Sequence, residues 1–202
     1  MPSIEGLTLR ENMKIIITTL ILSLGLSACA PVLVGGALVT AVNVAHDRRS
    51  SGQVLDDKMI TASVKNELRK SLSDDSRIKV KTYNGVVLMA GEVKNQNDRV
   101  TAEDVAAVKD GVMKVVNELK LVDEVSMLGR RTKDKYISTK AKGSLLKVKL
   151  EDFDPTRVSI VTANHEVFLM GMVTQQEAEA VVDRIRNLKH VKRVVKIFEY
   201  MD

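Results

Sequence analysis

Apolar residues are distributed in two different ways along the chain. From Ile15 through Ala45 there is no charged residue and most positions are apolar. Past residue 55 the apolar residues instead recur at fixed spacings between polar ones, and they do so twice. Asp57-Lys58-Met59-Ile60 returns as Asp134-Lys135-Tyr136-Ile137, Arg77-Ile78-Lys79-Val80 as Arg157-Val158-Ser159-Ile160, and Val87 to Val93 as Val167 to Val173. The offset is 77, then 80, then 79 where Gly111 to Val116 matches His190 to Val195, so the copies differ by small insertions where loops belong. A repeat of this length is one structural unit used twice.

Within each copy the spacing predicts the same elements. Ile60, Val64 and Leu68, and Ile137, Ala141, Leu145 and Val148, follow the helical period over Asp57–Ser71 and Asp134–Leu150, each opening on an Asp that suits an N-cap. Arg77–Thr82 and Arg157–Thr162 read as short strands. Asn84-Gly85 and Ala163-Asn164-His165 then read as hairpin turns, since Asn tolerates positive φ. The following strands, Val86–Ala90 and Val167–Met170, are almost wholly apolar, which requires burial on both faces or against a helix. Gly91 and Gly171 interrupt them at equivalent places, as at a bulge or a close backbone approach. Second helices are expected over Asn97–Lys109, with Val100, Val105 and Val108 apolar, and over Thr174–Leu188, with Ala178, Val181, Val182, Ile185 and Leu188 apolar. Last strands are expected over Val112–Leu121 and Val191–Tyr200. The fold class is therefore α+β: two tandem helix-strand-strand-helix-strand domains, each a small mixed three-stranded sheet covered by two helices. The boundaries are 1–28 for a signal peptide, 29–55 for a tether, 56–122 for the first domain, 123–133 for a linker and 134–202 for the second domain. Domains of this size bury little surface alone, so the two are expected to pack together.

The N-terminal stretch carries the layout of an export signal. Arg10 and Lys14 precede an uncharged run of 12 residues, Ile15 to Leu26, and small residues follow. Met13-Lys14 suits the start of such a signal better than Met1. The run is too short to span a bilayer. The uncharged stretch to Ala45 is long enough for one uncleaved transmembrane helix, which Pro31, Gly35, Gly36 and the motif that follows disfavour. Leu26-Ser27-Ala28-Cys29 resembles the lipobox of bacterial lipoproteins. That resemblance implies cleavage before Cys29, acylation of Cys29, and, with Ala30 rather than Asp following, sorting to the outer membrane. One acyl chain anchors a protein only marginally, and two or more do so stably. Ala30–Ala45 followed by His46-Asp47-Arg48-Arg49-Ser50-Ser51-Gly52 reads as a tether, whose apolar half could equally pack on a partner or on the folded part.

Composition narrows the function classes. Lys+Arg number 31 against Asp+Glu 26, and removing residues 1–28 leaves 29 against 24, still +5. Such an excess suits anionic headgroups and is also ordinary for a soluble protein. Aromatic residues are 3% and Trp is absent, which leaves little for base stacking, and export would remove a nucleic-acid partner. The single Cys excludes a disulfide framework within the chain. His46, His165 and His190 have neither metal-ligand spacing nor a nucleophile nearby, and the acidic loops Asp74-Asp75 and Glu151-Asp152-Asp154 lack a calcium-loop pattern. No metal, no cofactor and no enzymatic centre are expected.

The element order, the Gly after the apolar strand, and Gly-Val or His-Val before the last strand resemble the BON domain (bacterial OsmY and nodulation), and two copies behind a lipobox resemble dual-BON outer-membrane lipoproteins. The resemblance runs from about Val32 to Tyr200 and is strongest in Val167-Phe168-Leu169-Met170-Gly171 and Ile137-Ser138-Thr139-Lys140. It implies a non-enzymatic envelope protein facing the periplasm, in which the first helix of the second domain meets anionic phospholipid. Lys135–Leu150 holds five lysines and no acidic residue. Tyr136, Lys140, Gly143 and Lys147, spaced four, three and four, form one stripe of that helix and are the expected phospholipid-binding residues. The first copy has Met59 in place of Tyr136, and Asp57 and Glu67 interrupt its lysines. An ordinary solvated helix face gives a similar charge pattern. Lys189, Lys192, Arg193 and Lys196 form a second basic patch of undetermined position. The alternative reading is a protein-protein module docking on outer-membrane assembly or peptidoglycan-linked partners.

Overall fold

The computed structural model describes residues 47–73, 75–125 and 129–201; the expected signal peptide, Cys29 and most of the tether lie outside them. Helix α1 (Ser51–Ser71) is followed by strands β1 (Arg77–Tyr83) and β2 (Val86–Val93), helix α2 (Gln96–Ala107) and strand β3 (Lys114–Leu121). The second copy repeats this with α3 (Gly129–Leu145), a 3-10 turn (Pro155–Arg157), β4 (Ser159–Ala163), β5 (Glu166–Val173), α4 (Gln175–Arg186) and β6 (Arg193–Tyr200). In each sheet the hairpin pair is antiparallel and the crossover pair parallel, in the orders β1-β2-β3 and β4-β5-β6, so β2 and β5 are the central strands.

Several boundaries differ from the sequence expectation, for identifiable reasons. Helix α1 begins inside the stretch read as tether, because Ser50 caps it by accepting the Gln53 N–H at 3.1 Å. Asp57 and Asp134 are not caps. Each is buried within its helix and accepts the two N–H groups of the facing hairpin turn: Asp57 from Asn84 at 2.7 Å and Gly85 at 2.9 Å, Asp134 from Asn164 at 3.1 Å and His165 at 2.9 Å. Both turns have positive φ at both central residues, 48° and 74° at Asn84-Gly85, 53° and 65° at Asn164-His165, the geometry of a two-residue hairpin loop. Such turns leave buried amides that need acceptors, and the duplicated Asp supplies them. Helix α3 starts five residues before Asp134 and stops at Leu145, not Leu150. Ser144 Oγ bonds back to the Ala141 carbonyl at 2.7 Å, a competing side-chain bond that weakens a helix, and tight turns follow from Lys147 N–H to Ser144 and from Val148 N–H to Leu145. Strand β4 opens two residues late because Asp154 caps the turn built on Pro155.

Helix α2 faces the sheet with Ala102 and Ala106, Val105 being half-buried, while Val100 and Val108 are 47% and 77% exposed. The expected apolar stripe was thus rotated by one position: two alanines allow a closer approach of helix to sheet than valines do. Helix α4 does bury Ala178, Val181 and Ile185, and Thr174 and Glu177 close a capping box at its start.

The apolar runs of β2 and β5 are buried on both faces. Val87, Met89 and Val93 pack under α1 and α2, and Val167, Leu169 and Val173 under α3 and α4. Their alternate residues Leu88, Ala90, Phe168 and Met170 join Tyr83 and Ala163 in a third cluster, in which the helix-free faces of the two sheets meet. Polar bonds frame this seam. The Tyr83 hydroxyl accepts the Met172 N–H at 3.1 Å, Asn164 donates to the Gly91 carbonyl at 2.9 Å, and Asn84 donates to Glu199 at 2.6 Å. Gly91 and Gly171 mark close approaches: a Cβ there would lie 1.9 Å from the Arg77 carbonyl oxygen and 2.5 Å from that of Arg157.

Candidate functional site

Helix α3 presents three faces. Ile137, Ala141 and Leu145 are buried in the second core, and Asp134 is tied to the hairpin turn. At 3.6 residues per turn the side opposite carries Tyr136, Lys140 and Gly143, all exposed. The Tyr136 ring, 46% exposed, meets His190 edge-on at 6.2 Å between centroids, and Lys140 Nζ stands 5.7 Å above the same ring, within reach of a cation–π attraction. A Cβ on Gly143 would touch nothing within 4 Å, so the helix surface is bare beyond Lys140. These three expected residues do share one face. Lys147 does not continue it: the helix has ended at Leu145, and Lys147 sits in the following turn, where its carbonyl accepts Arg184 at 2.9 Å. The four-three-four spacing holds only while the helix persists.

His190 was missed as a site residue because it lies far from Tyr136 in sequence, in a turn where its φ is 72°. Of the stretch that carries the second basic patch, His190 is the residue that meets α3, through Tyr136, and the cations of the patch divide. Arg193 is engaged by Glu166 at 3.0 Å and by Glu118, and Lys196 lies beside α4 over a small hollow shared with Glu179 and Asp183. Lys189 and Lys192 are exposed and flank His190 in the sequence, and the Lys192 N–H donates to the His165 carbonyl at 2.9 Å. The first copy has Met59, 62% exposed, and Gly111 at the equivalent places, and therefore no ring pair.

Two further cations missed in the sequence sit just ahead of α1. Arg48 makes a two-pronged pair with Glu177, at 2.7 and 2.9 Å, and donates to the Met172 carbonyl at 2.9 Å. Arg49 reaches Asp57 at 2.6 Å and lies over the Tyr83 ring at 3.7 Å. Burial alone would raise the Glu177 carboxyl, yet hydrogen bonds from Arg48 and the Thr174 N–H, with the charges of Arg48 and Arg157, hold it below its ordinary range. The chain leading into α1 is thus fastened to both domains. No periodic pattern marks such a contact.

Among the described residues no group of three or more His, Cys, Asp or Glu is placed to hold a metal ion, and no helix is long and apolar enough to cross a membrane. A family model described as "BON domain" matches residues 56–123 and 133–201. The chain is 34% identical over 182 residues to "Outer membrane lipoprotein DolP" of Haemophilus influenzae, covering 88% of this chain and 91% of that protein. It is 32% identical over 157 residues to "21 kDa hemolysin" of Actinobacillus pleuropneumoniae, covering 77% and 79%. It is 33% identical over 159 residues to "Osmotically-inducible protein Y" of Escherichia coli K12, covering 72% and 74%. With both copies of its duplicated unit matched, this chain belongs to the BON-domain family.

Proposed function

We propose that the protein is a lipoprotein of the outer membrane, acylated on Cys29 and facing the periplasm, whose second BON domain binds anionic phospholipid through the exposed face of α3 and thereby supports envelope integrity without catalysing a reaction. In this reading residues 1–28 are removed on export, and the tether runs from Cys29 to the fastened Arg48-Arg49. The observation that carries the reading is the grouping of Tyr136, Lys140 and His190 on the exposed face of α3, with Lys189 and Lys192 beside His190 in the sequence. A tyrosine suits the headgroup boundary, with its ring partly in apolar surroundings. Cations at an anionic surface contribute on the order of 1 kcal/mol each, so Lys140, Lys189 and Lys192 together supply roughly a hundredfold in affinity. The likeness to a relative named as an outer-membrane lipoprotein supports the anchoring.

The test is co-sedimentation of residues 30–202, made without the signal and without Cys29, with vesicles of anionic or zwitterionic lipid. This form keeps Arg48 and Arg49, which a fragment starting at Ser50 would lose. Binding to anionic vesicles alone is expected, weakened by salt because exposed charges are screened beyond about 8 Å at physiological ionic strength, and lost in Tyr136→Ala, Lys140→Ala. Equal binding of the variant would refute the role of this face. The second reading, a protein-docking module, is favoured by Val108 and Met113, 77% and 80% exposed on the first domain; absence of binding to either vesicle type is its expected outcome.

A further inference from the structure

Strand β1 is an edge of the first sheet, and helix α1 packs beside it. At the C-terminal end of β1 the two are joined: Thr61 Oγ1 accepts the Thr82 N–H at 3.0 Å and donates to the Thr82 hydroxyl at 2.9 Å. The Thr82 N–H therefore points away from β2, and by strand alternation so do those of Val80 and Ile78. On α1 the positions one and two turns beyond Thr61 are Lys65 and Arg69, which are donors only. Among the described residues neither the Val80 nor the Ile78 N–H has a backbone acceptor outside the sheet. A groove of about 480 Å3 opens there, with Leu68, Leu72, Ile78 and Val80 as its apolar floor and Lys65 and Arg69 on its rim.

The chemistry of the groove selects its occupant. A strand edge with unpaired donors is a template for another strand, and an extended peptide matches it through its own backbone; a lipid chain would use the floor alone. Ser76 Oγ, on the groove wall, is buried without a hydrogen-bond partner among the described residues, a costly state for a polar group. Lys65 and Arg69 are exposed, and among the described residues no carboxylate lies within ion-pair distance of either, Glu67 being taken by Lys70 and Lys109. Burial, and then the charges of Arg49, Lys65 and Lys58, hold the Lys81 amine of this strand below its ordinary range against the pull of Asp57. The edge is thus electropositive and suits an acidic partner. The second copy differs at this connection, where the offset between copies widens from 77 to 80. From its longer connection Phe153, with Asp152 and Asp154 on either side, packs on the second core. The first copy joins helix to strand through residues 72–76, which include no aromatic residue.

We propose that the groove between α1 and β1 is a docking site for an extended, acidic segment of a partner protein. The segment adds to β1 as a further strand, lays an apolar side chain on Leu68, Leu72 and Ile78, and sets a carboxylate against Lys65 and Arg69. This site is at the opposite end of β1 from Met113, which lies beside Gly85 of the hairpin turn, and it is independent of whether the second domain binds lipid.

The probe is the end-capped pentapeptide Leu-Glu-Asp-Phe-Asp, a copy of residues 150–154, whose Glu and Phe share one face when extended. It is titrated into the full acylated chain in a neutral detergent, with amide NMR shifts as the readout. Saturable shifts are expected at Leu72, Ile78 and Val80, with the amides of α3 unmoved. The same peptide N-methylated throughout keeps every side chain but donates no backbone hydrogen bond, and should bind roughly tenfold more weakly. Lys65→Gln with Arg69→Gln should weaken the unmodified peptide by roughly fivefold or more and leave the melting temperature unchanged. Absence of shifts at Ile78 and Val80 would overturn the site. Equal binding of the N-methylated peptide would overturn strand addition, and equal binding to the double variant would overturn the acidic partner. Tighter binding of dihexanoyl phosphatidylglycerol at the same amides would make the groove a lipid site and overturn the proposal. Failure of the protein to sediment with vesicles bears on α3 alone, since these shifts are read on α1 and β1.

Discussion

Phe168→Ala tests the joint between the domains. Phe168 is fully buried on the helix-free face of β5, in one cluster with Tyr83, Leu88 and Ala90 of the first sheet. Removing a buried phenyl group costs about 3–5 kcal/mol, part from lost burial and part from the cavity left behind, against a total stability on the order of 5–15 kcal/mol for a protein of this kind. The expected fall in melting temperature is roughly 6–20 °C for a unit of about 150 residues. Leu88→Ala, on the opposing sheet, costs about 2–5 kcal/mol by itself. Because both side chains line one cluster, the double variant should be non-additive by about 0.5–3 kcal/mol. Leu169→Ala is the control: its side chain points to the other face of the same strand, into the second core with Ile137 and Val181, and should couple weakly to Leu88. Urea unfolding followed by far-UV circular dichroism gives the free energies, the chain having no Trp to report by fluorescence. If Phe168→Ala and Leu88→Ala add to within about 0.5 kcal/mol, or if Leu169→Ala couples to Leu88 as strongly as Phe168→Ala does, the two sheets do not share a core and the account of their apolar strands is wrong.

Two other expectations follow from local geometry. Gly91→Ala sets a methyl 1.9 Å from the Arg77 carbonyl oxygen at a residue whose φ is 150°, and Gly171→Ala sets one 2.5 Å from the Arg157 carbonyl oxygen; both should destabilise beyond the ~1–3 kcal/mol of ordinary overpacking, Gly91→Ala the more, and thermal melts that reverse this order would contradict the strand geometry. For acid, the Glu177 and Glu166 carboxyls are depressed below 4.5 in the folded state despite burial, through Arg48 and through Arg193 with Lys120 respectively. Their contribution is therefore complete above the unfolded value and lost as pH falls through the folded one. Urea midpoints should drop below about pH 4.5, and Arg48→Ala should flatten that drop; an unchanged pH slope in this variant would show that Arg48 does not hold Glu177.

The fold was legible because its signals are local or repeated. The helical spacing of Ile137, Ala141 and Leu145 and the Asn-led turns each lie within a few residues, and the duplication shows the same pattern again 77 to 80 residues later; none of these needs a spatial partner to be recognised. The face carrying Tyr136, Lys140 and Gly143 was legible for the same reason. Errors arose where a residue answers to something distant. Asp57 and Asp134 look like caps in isolation, yet the turn amides of Asn84 and Asn164 claim them. Val100 and Val108 look like core, yet Ala102 and Ala106 set the contact. Lys147 is the exception, where a local signal was overlooked: it looked like a continuation of the stripe, yet the Ser144 hydroxyl, three residues earlier, helps to end the helix before it.

By itself the sequence determined that two α+β units of one kind follow an apolar, uncharged N-terminal stretch, since periodicity and repetition are properties of the chain read along its length. Only the tertiary structure decided what those units do to each other. It placed Phe168 and Met170 against Leu88 and Ala90, His190 beside Tyr136, and Arg48 on Glu177. The physical reason is that burial and charge pairing act through space at a few ångströms, between residues 50 to 130 positions apart, and no spacing along the chain encodes which of them will meet.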